Sequence, residues 1–259
     1  MKRLRRSTET AVISEFLKSE FYHEEFHPDR ENFQQLVMDS DLSSARDNAL
    51  RRALLFRRRG HMWRELPSDT QWWEVELEPR DLRYIRVFPR AQWRRIADES
   101  FLLRDIVHRI RNERFSGRTG EFVAEIERLS HSLRKQTDRS TVLLIGIDDL
   151  NPLTILEGNH RLTAALLAGP FVFRQQFRAL CGFSANMSSC CWYETNLRNL
   201  WGYAQNRLRN LFYDRDADVA RVLRESRAEA PQFEGGIGSL ESGMSPVRAG
   251  KIAGDTKSA

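Results

Sequence analysis

Glu157-Gly158-Asn159-His160-Arg161 is the densest run of chemically capable side chains in the sequence. A carboxylate at 157 is suited to hold a metal ion or accept a proton. Gly158 lets the backbone take a positive φ or pass close to a ligand. Asn159 is a favoured N-cap, so a helix is expected to begin there. The free amides of its first turn, together with the helix dipole, favour an anion. His160 and Arg161 add two donors with affinity for phosphate in the same place. The same residues would also serve as a plain strand-to-helix connection with their polar groups in solvent.

Other constellations carry less. Cys190-Cys191 lacks the two-residue spacing of a tetrahedral metal site, so idle thiols are expected at Cys181, Cys190 and Cys191. His23 and His27 have helical i,i+4 spacing, but Pro28 follows and no third ligand is near, so surface histidines are expected. Arg57-Arg58-Arg59-Gly60 reads as cations at a helix C-terminus followed by a stop, which the helix dipole alone explains. Trp72 and Trp73 fall on opposite faces of a strand.

The elements that must position the motif follow from periodicity. Val12, Ile13, Phe16, Leu17 and Phe21 share a helical face, as do Ala45, Ala49, Leu50, Ala53 and Leu54 behind a cap at Ser43 or Ser44. Residues 1–62 thus read as a helical extension. Strand texture begins at Trp72–Leu77, a second short piece follows at Tyr84–Phe88, and Val142–Ile147 is the most strand-like run. Helical stripes run through Leu102–Ile110 and Phe122–Leu133, with Gly117 and Gly120 placed between them. Leu153–Leu156 is a strand, Leu162, Ala165 and Leu166 continue as a helix, and Phe171–Phe177 reads as another strand. Two C-terminal helices are expected over 196–230, the first with Leu197, Leu200, Trp201, Leu208 and Leu211 on one face. Residues 231–259 are rich in Gly and Ser and aperiodic, the pattern of a disordered tail.

A chain of 259 residues with 41% hydrophobic and 30% charged residues has ample material for a core, which excludes fibrous and wholly disordered classes. The basic N-terminus has no apolar stretch behind it, and Leu162–Phe173 is too short and broken to span a bilayer, so neither secretion nor a membrane is expected. With three cysteines, a cytoplasmic location is the expectation. Net charge is +5, carried almost wholly by arginine, which reflects either codon usage or contact with phosphate or nucleic acid.

The strand-Glu-Gly-x-His-Arg-helix segment resembles the signature of the ParB/sulfiredoxin superfamily. Val75-Glu76-Leu77 with Pro79, Asp81 and Leu82 resembles its opening element, Val142–Ile147 its second strand, and Ala164-Ala165 with Gly169 its helix exit. The resemblance spans about residues 72–195 and implies an α+β fold, a small mixed β-sheet wrapped by N- and C-terminal helices, with the core at 70–195 carrying a helical insertion. Asn159 stands where sulfiredoxins carry cysteine, and His160-Arg161 where the partitioning proteins carry Arg-Arg. The pattern is most similar to the free-amino-acid kinases of the superfamily. The resemblance implies that Gly158, Asn159, His160 and Arg161 bind the phosphates of ATP or another nucleoside triphosphate with Mg²⁺. Glu157 would ligate metal or orient the acceptor, and Asp81 or Glu78 would be the catalytic acid near the first strand. The expected function is phosphotransfer to a small molecule. The alternative is a non-enzymatic, nucleotide-gated or nucleic-acid-associated binding protein.

Overall fold

Alternation along the strands decides the layering. In the computed structural model, β4 (Ser140–Gly146) turns Val142 and Leu144 into one core and Leu143 and Ile145 into another. A strand whose successive side chains are all apolar must be covered on both faces. The structure describes residues 1–228 except 98, 136–139, 170, 171, 173–176 and 213. The expected tail therefore lies outside the described residues, as does most of the strand expected at Phe171–Phe177.

The protein is α+β, with a six-stranded mixed sheet. Its other strands are β1 (Lys2–Arg6), β2 (Gln71–Glu76), β3 (Ile85–Arg86), β5 (Leu153–Glu157) and β6 (Phe177–Phe183), in spatial order β1-β2-β6-β4-β5-β3. β4 runs parallel to β6 and antiparallel to β5, and β3 runs parallel to β5. One face is covered by α4 (Ala91–Ala97), α5 (Leu103–Asn112), α6 (Gly117–Leu133) and α7 (Asn159–Ala168). The other face carries α1 (Glu9–Glu20), α2 (His27–Met38), α3 (Ala45–Trp63) and, near the chain's end, α9 (Val219–Ala228). The apolar stripe of α1 is buried there as expected, and so are Leu50, Ala53 and Leu54 of α3, whereas Ala45 and Ala49 in its first turns are exposed. Among the described residues no helix is long and apolar enough to cross a membrane.

Several expectations are corrected. The first sixty residues are not all helical, because Lys2–Arg6 pairs antiparallel with β2 at the sheet edge. All five side chains are exposed, so this strand has no burial alternation to reveal it. The Arg57-Arg58-Arg59-Gly60 run does not end a helix: α3 continues to Trp63. Gly60 leaves room there for the side chains of Asn210 and Arg64, whose ends would lie 2.5 Å and 2.8 Å from a Cβ. Gly117 and Gly120 lie inside α6 rather than between two helices. His23 and His27 do not share a helix, since a 3₁₀ turn at Glu24–Phe26 separates them. Trp72 is buried in one core and Trp73 packs against the other, beneath the Arg3 guanidinium.

α8 (Leu197–Arg209) is helical as expected, but its apolar face is not buried. Leu197 is 88% exposed and Trp201 68% exposed, and Leu208, Leu211 and Phe212 are exposed with them. Helical periodicity records a face, and nothing in the sequence says whether another element covers it.

Candidate functional site

β5 ends at Glu157 and α7 begins at Asn159, so Gly158 must reverse the chain alone. It adopts φ +100° and serves as the N-cap of α7. A Cβ at this position would lie 2.5 Å from Val142 Cγ1, so both the dihedral and the close approach to β4 require glycine. Asn159 is therefore the first helical residue, not the cap. Its side-chain oxygen is buried without a hydrogen-bond partner among the described residues. Among the described residues no side chain caps α7, which leaves the amides at its start for another acceptor.

Glu157 meets a second carboxylate, Glu20 at the C-terminus of α1, and the two share a hydrogen bond. Burial and the Glu20 charge push the Glu157 pKa up to about 7, against the opposing pull of Arg161. Burial of Glu20 acts in the same direction, but the charge and hydrogen bonds of Arg59, with His23, leave its pKa lowered. The geometry agrees on which oxygen keeps the proton. Arg59 bonds Glu20 through Nη2 at 2.7 Å and Nε at 3.1 Å, whereas Arg161 reaches Glu157 only at 3.2 Å. Glu157 is the proton carrier, donating to ionised Glu20. Two carboxyl groups whose environments push their pKa values apart form the arrangement from which acid and base roles are drawn.

The donors expected to hold phosphate at this turn are arranged differently. Arg161 is turned back to Glu157 and to the Ser19 hydroxyl at 2.8 Å, so it positions the carboxyl group rather than facing outward. His160 keeps an exposed edge, but its ring lies 5.0 Å from Phe122 and 5.4 Å from Trp93. Desolvation lowers its pKa, so it is a neutral imidazole near pH 7. Arg59 on α3 and Arg90, just before α4, add to the positive charge that Arg161 brings to the acid pair. Desolvation of the Arg90 guanidinium and the nearby Arg59 charge lower its pKa, and Glu20 and Glu157 are among the groups it feels.

The structure does not bring Asp81 to the turn. β3 pairs in parallel with β5 through Ile85 and Leu153, so Asp81, four residues upstream, lies toward the end of the sheet opposite Glu157. Its carboxylate accepts the Glu78 amide at 2.7 Å and the Met1 amino group at 2.9 Å, a structural role that ties its loop to the residue preceding β1. Glu78 lies in the same loop and pairs with Arg80. Cys181, Cys190 and Cys191 are free and buried, and burial raises the thiol of Cys190 to about 12. Glu20 and Arg90 went unread in the sequence. Glu20 lies 137 positions before its partner on an amphipathic helix, and Arg90 is one arginine among many.

The donor set does not suit a resident Mg²⁺ at Glu157. Mg²⁺ asks for octahedral oxygen ligands. Here the two carboxyl groups share a proton and already carry guanidinium partners. Among the described residues no three His, Cys, Asp or Glu side chains group to hold a metal. No protein family, curated protein or solved structure matches the chain.

Proposed function

We propose that this chain is a nucleotide-binding protein of ParB/sulfiredoxin-like type, acting as a phosphotransferase toward a small molecule. The observation that carries this reading is the Glu20–Glu157 carboxyl pair beside an uncapped helix start. An anion is favoured at the start of α7 by its unpaired amides and dipole. Arg59 and Arg90 supply the positive charge expected around a transferring phosphoryl group. With its pKa near 7, Glu157 is ionised in part of the molecules at neutral pH, and in that form it would take the proton of an acceptor hydroxyl as that oxygen attacks the terminal phosphorus. The bond from phosphorus to the bridging oxygen breaks in the same transfer, and the nucleoside diphosphate leaves. Arginines rather than a caged metal would neutralise the phosphates at this turn.

Calorimetric titration of ATP, CTP and GTP, each with and without Mg²⁺, tests the reading. Saturable binding of at least one nucleotide is expected. Glu157→Gln should keep that binding while phosphoryl transfer collapses. No saturable binding by the wild-type protein overturns the nucleotide reading. Binding without any transfer or hydrolysis instead supports the non-enzymatic alternative.

A further inference from the structure

A concavity opens on the far side of Arg59 from the acid pair's Glu20, and the residues that build it come mostly from outside the segment that carries the motif. α3 contributes Arg58, Arg59 and His61, α8 contributes Tyr203 and Arg207, and the stretch before α4 contributes Arg90. The cavity is about 480 Å³, within the range of small-molecule sites. Its walls are fixed by contacts that do not involve a ligand. Glu65, just after α3, accepts the Asn206 side-chain amide of α8 and the Cys191 backbone N–H. Arg64 bonds Asn210 at 2.9 Å and pairs with Asp214.

The charges on these walls do not balance. Arg58 is matched by Asp29, and Arg59 by Glu20 and by Glu25, the one carboxylate among the cavity's lining residues. Arg90 and Arg207 have no carboxylate within ion-pairing distance among the described residues. The Arg90 guanidinium lies 4.5 Å over the Trp192 ring, and Arg207 reaches only the Tyr203 hydroxyl, at 3.4 Å. Trp192 is 3% exposed, and its indole N–H is buried without an acceptor among the described residues. His61 lies against Tyr203, ring centroids 5.8 Å apart. Desolvation, together with Arg207, Arg59 and Arg90, lowers its pKa to about 4, so it is a neutral donor near pH 7. Two guanidinium groups without carboxylate partners and a neutral imidazole on one concave wall favour an acceptor-rich, negatively charged occupant.

We infer that this cavity binds a compact small-molecule anion carrying at least two negative charges on phosphate or carboxylate groups, with Arg90 and Arg207 as its principal ligands. A long nucleic acid fits less well than a compact anion, because the cations converge on one concavity instead of tracking along a groove. The cavity shares Arg59 and Arg90 with the proposed phosphate site at the α7 start, and Arg207, on α8, is the ligand that separates the two.

Calorimetric titration with inorganic pyrophosphate at low salt, with citrate as a parallel arm, tests the assignment. Saturable binding of one probe to the wild-type protein is expected, and the preferred probe separates a phosphate from a polycarboxylate site. Arg207→Ala should weaken that binding about tenfold to a hundredfold, as loss of one charge-assisted contact does. Arg207→Glu should abolish it. Arg207 is exposed, so both variants should retain the wild-type thermal transition. Wild-type protein that binds neither probe at millimolar concentration overturns the inference. So does binding that survives both Arg207 variants, even if the α7 start proves to be where the probe sits. A 20-nucleotide single strand that displaces pyrophosphate and binds more tightly also overturns it, in favour of nucleic acid.

Discussion

Replacing Glu157 with glutamine should stabilise this protein at alkaline pH, the reverse of the usual result for removing a buried polar partner. The folded protein holds the Glu157 carboxyl at about 7 against an ordinary value of 4.5. A carboxyl whose folded pKa is raised contributes stability that is fully present below the unfolded value and is lost as pH rises through the folded value. The span of pKa corresponds to about 3 kcal/mol at pH 8, since each unit is about 1.4 kcal/mol. Glu20 shares the proton, so about 1–3 kcal/mol is the expected range. The glutamine side chain mimics the protonated acid, still donates to Glu20, and carries no charge to be desolvated. Thermal unfolding of both proteins from pH 4 to pH 8.5 reads the effect. At pH 8 the variant should melt about 3–10 °C higher, and the gap should close towards pH 4. A gap independent of pH, or a variant less stable at pH 8 than the wild type, would refute the shared-proton description.

Three further outcomes are expected. Gly158→Ala should destabilise by about 1–3 kcal/mol or more in urea unfolding, because it combines a φ of +100° with a Cβ 2.5 Å from Val142 Cγ1. Arg161→Ala removes the cation that opposes the upward shift of Glu157, so the Glu157 pKa, followed by carboxyl ¹³C NMR, should rise further. On α8, Leu208→Ala should change stability by less than about 0.5 kcal/mol, whereas Leu54→Ala in α3 should cost about 2–5 kcal/mol, both measured by denaturant unfolding.

The turn at 157–161 was legible because its information is local. A strand, one obligatory glycine and a helix start follow one another within a dozen residues, and each leaves its own trace in composition. The continuous apolar run of β4 likewise announced a strand, and the structure buries it on both faces. What escaped the sequence is what depends on meeting across the chain. Glu20 acquires its meaning only when α1 lies over the end of β5, and Arg161 is drawn inward by that carboxyl pair instead of facing outward. The resemblance offered Asp81, near the first strand, as the catalytic acid for the motif, but strand direction separates the two, which residue spacing does not encode. The Lys2–Arg6 edge strand has no alternation because neither of its faces is buried. The bare face of α8 shows that amphipathic spacing alone does not establish a neighbour.

The carboxyl pair joins two layers of the molecule, with Glu20 coming from the helices on one side of the sheet and Glu157 from the sheet itself. The proton between them is therefore part of the adhesion of α1. If α1 lifts away, Glu157 loses the neighbouring charge and the burial that suppress its ionisation, and it reverts towards an ordinary carboxylate. Between about pH 5 and 7 that event releases a proton to solvent, so detachment becomes progressively easier as the medium turns alkaline. The first helix is thus fastened by an acid-strengthened clasp, and hydrogen exchange in α1 should quicken with rising pH beyond the intrinsic chemical rate.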